Sequence, residues 1–219
     1  MIRFKNVTKV YDNHTVLKNV TVTIERGEFA YISGPSGAGK TTLLKLVFLE
    51  ERPDSGSIMV DNVYIDELGN REIPFLRRKI GVVFQDFRLL NRSVFDNVAL
   101  TLRIRGVTET DIKTLVNETL KLVNLRHKSD ADPATLSGGE QQRVAIARAI
   151  VGEPSVLLAD EPTGNLDPDT AAGIARIFRE INAKGTTILF ATHSRELFRG
   201  SGNRVFRLEN GALTLEAGL

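Results

Sequence analysis

Gly34-Pro35-Ser36-Gly37-Ala38-Gly39-Lys40-Thr41 spaces glycine, lysine and a hydroxyl as G-x-x-x-x-G-K-[ST]. Glycines at such a turn let successive backbone N–H groups converge on an anion. Lys40 adds a mobile point charge for β- and γ-phosphates, and the Thr41 hydroxyl can ligate Mg²⁺. Thr42 continues the cradle into a helix whose positive dipole end faces the same anion. This chemistry implies a nucleoside triphosphate.

Other residues fit the same chemistry. Val156-Leu157-Leu158-Ala159 is an apolar run ending in Asp160 and Glu161. In a parallel sheet that strand end is expected beside the end of the strand that feeds the phosphate loop. Asp160 would then hold Mg²⁺ through water, and Glu161 would act as general base for an attacking water. Gln85, after the apolar run Ile80–Phe84, can reach metal or water with its amide oxygen. His193, after Thr187–Thr192, can hydrogen-bond a γ-phosphate or orient the nucleophile. Alone, Gln85 reads as a loop residue and His193 as structural.

A second anion site is legible in Leu136-Ser137-Gly138-Gly139-Glu140. Ser137 and Glu140 have the spacing of a capping box, so a helix starts there. Gly138 and Gly139 leave its first amides bare. One chain thus carries two phosphate-binding elements but one acidic pair, which is reconciled if the second element reaches a nucleotide held by another copy. Tyr11 is open between stacking on a base and ordinary packing. Asn165-Leu166-Asp167 reads as a tight turn and a candidate dimer contact.

These residues need elements to place them. Alternation over residues 2–10 and 16–24 predicts two strands, and residues 28–33 predict the strand before the phosphate loop. Short strands are expected at Ser57–Val60, Ile80–Phe84, Val156–Ala159 and Thr187–Ala191. Helical spacing at Val94, Val98, Leu102 and at Ile112, Leu115, Val116, Leu120, Val123 marks a helical insert, with Thr108 capping its second helix. Helices are expected over 138–151 and 170–184, the latter stopped by Gly185. Asn210-Gly211 predicts a hairpin.

The 219-residue length suits one α/β domain with a small subdomain. Lys and Arg number 29 against 27 acids, a balance that gives no charge argument for nucleic acid. The absence of cysteine excludes disulfides and thiol catalysis. The N-terminus lacks a signal-peptide apolar core, and no apolar run is long enough to span a bilayer, so a membrane role needs a partner.

Taken together, Tyr11, Gly34–Thr41, Gln85, Leu136–Glu140, Val156–Glu161, Asn165–Asp167 and His193, in this order, resemble the nucleotide-binding subunits of ATP-binding-cassette (ABC) transporters over almost the whole chain. The resemblance implies one nucleotide-binding domain over residues 1–219. It implies a RecA-like P-loop core, an N-terminal antiparallel β subdomain and a helical subdomain over roughly residues 87–150. It also implies an Mg²⁺-dependent ATPase that forms a head-to-tail homodimer on ATP. Phe75–Asp86 and Ala159–Asp167 resemble the branch that includes lipoprotein-release, macrolide-export and cell-division ATPases. Tyr31–Lys40, Glu51-Arg52-Pro53 and Asn70–Phe75 lean toward the cell-division type, which implies an FtsX-like integral membrane partner, control of peptidoglycan hydrolases and a place on the cytoplasmic face of the membrane. Ser194 departs from the acid usual after the histidine. A soluble relative acting on nucleic acid fits less well, because the chain has one cassette and no long coiled-coil insert. A non-hydrolysing scaffold would have no need of Glu161. Phe87, Leu89 and Leu90 are open between packing the insert onto the core and lining a groove for a partner helix.

Overall fold

The computed structural model describes residues 1–216. Strands β1 (Ile2–Tyr11), β2 (His14–Ile24), β4 (Ser55–Val60) and β5 (Val63–Tyr64) form an antiparallel sheet in the order β2-β1-β4-β5. Strands β3 (Phe29–Ser33), β6 (Ile80–Val83), β7 (Val156–Asp160), β8 (Thr187–Thr192), β9 (Arg204–Glu209) and β10 (Ala212–Leu215) form a second sheet, ordered β10-β9-β3-β8-β7-β6. Its strands are parallel apart from β10, which returns as a hairpin on β9.

Period-two alternation splits the second sheet into two dry faces. Ala30, Ile32, Val156, Leu158, Leu189 and Ala191 pack with α1 (Lys40–Val47) and the antiparallel sheet. Phe29, Tyr31, Leu157, Ala159, Ile188 and Phe190 pack with the helices on the other side. Those helices are α3 (Val94–Ile104), α4 (Glu109–Leu122), α5 (Gly138–Ile150) and α6 (Pro168–Ala183). The short α2 (Ile73–Arg77) lies on the α1 side, where Leu76 is buried.

Local chemistry sets the boundaries. Ser93, Thr108, Ser137 and Asp167 each cap α3 to α6 with a side-chain oxygen. The Asp167 cap starts α6 at Pro168, before the expected residue 170. The turns Asp12-Asn13, Asp61-Asn62 and Asn210-Gly211 all have positive φ at both central residues, the form that matches strand twist in two-residue hairpins.

Asn97 is fully buried among the apolar residues of α3. Its Oδ1 accepts from the Leu90 N–H at 2.8 Å, and Nδ2 donates to the carbonyls of Leu90, Arg92 and Ser93, each at 3.0 Å. Arg148 of α5 donates to the carbonyls of Phe87 and Arg88 at 2.7 and 2.5 Å, and both residues have left-handed φ. Asn97 and Arg148 therefore hold the loop that follows Gln85. Asn97→Ala is expected to leave several of these backbone groups unpaired and to cost about 2–4 kcal/mol, or roughly 5–15 °C in Tm. Thermal and urea unfolding would measure it, and a loss under about 1 kcal/mol would show that water replaces the amide.

Candidate functional site

The parallel sheet brings the candidate residues to one edge, the C-terminal ends of β3, β6, β7 and β8. The expected adjacency of β3 and β7 is not what forms: β8 lies between them, pairing Ser33 with Thr192 and Asp160 with Ala191. His193 therefore emerges in the middle, flanked by the phosphate loop and by the two acids.

The loop Gly34–Gly39 leads into α1, whose N-terminus has no side-chain cap and no acid in its first turn. The longer helices α3 to α6 are all capped by a side chain. The leading amides of α1 thus remain available to an anion. Gly39 has φ +100°, and a Cβ there would meet Val16 Cγ1 of β2 at 2.8 Å, so the hairpin bearing Tyr11 closes directly over the loop. Pro35, Ser36 and Gly37 form the exposed crest, while Gly34, Ala38 and Thr42 are half-buried.

Lys40 is 6% exposed. Its Nζ donates to the carbonyls of Gly34 and Pro35 at 2.9 and 3.0 Å and lies 3.1 Å from Glu161 Oε1. Two of the three ammonium donors thus go to backbone carbonyls, and the Glu161 carboxylate supplies the counter-charge. The other oxygen, Glu161 Oε2, is 3.0 Å from His193 Nδ1 and accepts from the His193 N–H at 3.3 Å. Glu161 adopts φ +46°, an uncommon conformation for a residue with a side chain, and its own N–H donates to the Ala191 carbonyl at 3.0 Å. The carboxylate is thereby aimed across the end of β8 toward Lys40.

Asp160 is more buried than its role as a charged group would suggest. Burial pushes its carboxyl above the ordinary value, the Thr41 hydroxyl counters this, and the nearby Glu161 charge adds to it. Its Oδ1 is buried with no hydrogen-bond partner. An orphaned carboxylate oxygen beside a threonine hydroxyl suits a hard cation with oxygen ligands, so the residues present fit Mg²⁺. Gln85 is exposed, and its Nε2 lies beside Gly164, the residue whose N–H donates to the Glu161 carbonyl.

Ser137, Gly138 and Gly139 stand apart from this cluster. A Cβ on Gly138 would touch Leu166 and Phe87, and one on Gly139 would strike Thr170 of α6 at 2.5 Å. The Ser137 hydroxyl is not bare: it accepts from the Glu140 N–H and lies 3.1 Å from Glu140 Oε2, which also takes the Ser137 N–H. Tyr11 is half-buried at the end of β1, with the Lys9 ammonium 5.0 Å from its ring centroid. Leu89 packs on the helical core, whereas Leu90 is 40% exposed. Both line a hollow of about 430 Å³ with Phe87, Pro133 and Gln141. The Lys40–Glu161 pair, the Lys9 contact and the two clamps on the Gln85 loop are the site features that sequence reasoning missed. Only Asn97, a polar residue on an apolar helical stripe, left a signal.

The sequence pattern of the ABC transporter family matches residues 17–164. The chain belongs to that family and carries its ATPase fold. It is 50% identical over 215 residues to the cell division ATP-binding protein FtsE of Escherichia coli strain K12, covering 97% of each chain. It is 49% identical to the protein of that name from Bacillus subtilis strain 168, covering 97% of this chain and 94% of the relative. Among solved structures it is similar to the dimeric ATP-binding cassette MJ0796 in a post-hydrolysis state with ADP and Pi, with TM-score 0.91, 36% identity and full coverage of both chains.

Asp160 generates a pH prediction. A carboxyl whose folded pKa is raised lowers stability at pH above that value. The penalty fades as pH falls through the window between the raised folded pKa and the ordinary unfolded value, and it is absent below the latter. Asp160→Asn should therefore be more stable than the parent at neutral pH without Mg²⁺, by about 1 kcal/mol or 2–4 °C. The gap should close toward acid pH in thermal scans. A gap that is constant with pH would locate the gain elsewhere than in the buried charge.

Proposed function

We propose that the chain binds ATP at Gly34–Thr42 and hydrolyses it with Mg²⁺, and that two copies pair around the nucleotides. We further propose that this cycle drives an FtsX-like membrane protein that controls peptidoglycan hydrolysis in cell division, from the cytoplasmic face of the membrane. The observation that carries the chemistry is the convergence of Lys40, Asp160, Glu161 and His193 at one sheet edge. The name shared by the relatives supports the cellular role. Among the described residues no helix is long and apolar enough to cross a membrane, which supports peripheral attachment through a partner.

Thr41, Asp160 and Gln85 are the residues that would hold Mg²⁺. The ion, when bound, neutralises charge that develops on the transferring phosphoryl group. Phosphate oxygens compete with Glu161 for the Lys40 ammonium. Once Lys40 turns to phosphate, Glu161 Oε1 is released from that pair and is open to an attacking water. His193 Nδ1–H can donate to Glu161 and hold its carboxylate in place. A neutral ring used this way has a bare Nε2, so donation to a phosphate oxygen requires release from Glu161 or a second proton. Ser137, Gly138 and Gly139, which do not reach their own chain's cluster, complete the site of the second copy.

Two experiments test this reading. Glu161→Gln should lower turnover by roughly 10²–10⁴. Because Lys40 loses its anionic competitor, the same variant should bind ATP at least as tightly as the parent when measured on monomer. Parental turnover would place the base elsewhere, and weaker ATP binding would contradict the competition. Leu90→Asp should abolish capture of FtsX from detergent-solubilised membranes, while ATP affinity stays within about threefold, under roughly 0.7 kcal/mol. Full capture by a folded Leu90→Asp chain would mean that the hollow beside Phe87 is not the docking groove.

A further inference from the structure

Lys9 is a lysine where lysines are rarely found: only 9% of it is exposed. It lies on β1 two residues before Tyr11, and the pairing with β2 slips on both sides of it, between Val7 and Lys9 and between Lys9 and Val10. Such bulges re-aim a side chain. Here the ammonium ends 5.0 Å from the centroid of the Tyr11 ring. It donates to the Arg52 carbonyl at 2.9 Å, with Glu51 Oε2 and Asp54 Oδ2 at 3.6 and 3.7 Å. The Asp54 carboxylate also accepts from the Val10 N–H at 2.7 Å.

The residues that hold Lys9 lie just past the end of α1, where the Glu50 and Glu51 amides fold back onto the Lys45 carbonyl. One ammonium thus ties the strand end bearing Tyr11 to the exit of the helix that begins at the phosphate loop. Glu51 and Asp54 keep it from swinging away. A cation fixed against a tyrosine face attracts the ring's electron density and restrains the ring. A ring already restrained loses less freedom when a planar ligand stacks on it.

We propose that Lys9 is a positioning residue for recognition of the nucleotide base: it presets the Tyr11 ring, and does not touch the phosphates. This rests on the proposed ATP site and takes, of the two readings open for Tyr11, the one in which its ring stacks on the base. It predicts that Lys9 contributes to binding of a nucleoside triphosphate but not of the triphosphate chain alone. A purely structural lysine, neutralising Glu51 and Asp54, would make no such distinction.

The test uses the full chain with Mg²⁺ and calorimetric titration of ATP and of inorganic tripolyphosphate. Lys9→Gln keeps a donor for the Arg52 carbonyl and removes the charge. It should weaken ATP by about 3–10-fold and leave tripolyphosphate unchanged. Lys9→Arg, which keeps the cation, should stay within about twofold of the parent for both. Tyr11→Ala should weaken ATP at least as much as Lys9→Gln, and the two changes together should be no worse than Tyr11→Ala alone. Unchanged ATP affinity in Lys9→Gln, an equal loss for tripolyphosphate, or full additivity with Tyr11→Ala would overturn the proposal. Unchanged ATP affinity in Tyr11→Ala would instead overturn the base-platform reading itself. Should Lys9→Gln not fold, Lys9→Met is measured in its place. If neither folds, Lys9 is a stability residue and the proposal fails.

Discussion

The site depends on one carboxylate shared by two cations or donors. Glu161 sits between Lys40 and His193, with its side chain only 12% exposed and Lys40 buried more deeply still. In that setting an unpaired charge is costly, so each group is held by the other. The pair also fixes backbone: Glu161 keeps its left-handed φ because its N–H is anchored to Ala191 and its side chain is drawn toward Lys40. None of this would assemble if β7 and β8 did not end level with β3. The sheet order, more than any single loop, makes the site.

The same sheet carries the site's geometry outward. The strand β6 ends just before Gln85, and the loop after it is held by Asn97 from α3 and Arg148 from α5. Arg148 lies on the helix that starts at Ser137. Burial lowers the Arg148 pKa, and its guanidinium is satisfied by carbonyls. A movement of the Gln85 loop must therefore carry α5 with it or break the Arg148 hydrogen bonds. On the proposed function, this is a physical route between the phosphates of one copy and the helix start that faces the other.

Much of this was legible in the sequence for local reasons. The strand, turn and helix around Lys40 were readable because glycine spacing and leucine periodicity agree. The Ser137–Glu140 capping box forms as its spacing demands. What escaped was chemistry created by tertiary placement. Lys40 and Glu161 meet across β8, and nothing in their spacing along the chain reports that strand order. The Asp12-Asn13 and Asp61-Asn62 turns were missed because asparagine and aspartate replaced the glycine that makes Asn210-Gly211 easy to recognise. Asn97 stood out only as a polar residue on the apolar stripe of Val94, Val98 and Leu102; the backbone groups it holds, in the loop before α3, left no signal.

The two helix starts named as anion sites differ in a way that bears on assembly. The α1 start is open, with neither cap nor acid. The α5 start already holds an anion of its own, the Glu140 carboxylate on the Ser137 N–H and hydroxyl, and these hydrogen bonds hold Glu140 below the usual carboxylate range. Lys128, 3.7 Å from Glu140 Oε1, offsets only part of that charge. A free phosphate approaching α5 must compete with a tethered carboxylate, so this end is a weak anion site by itself. A nucleotide fixed on a partner's α1 is a different ligand: its phosphates arrive in one orientation, with their entropy of association already spent. The asymmetry favours binding first at the open helix and pairing second, an order built into which helix start carries a carboxylate of its own.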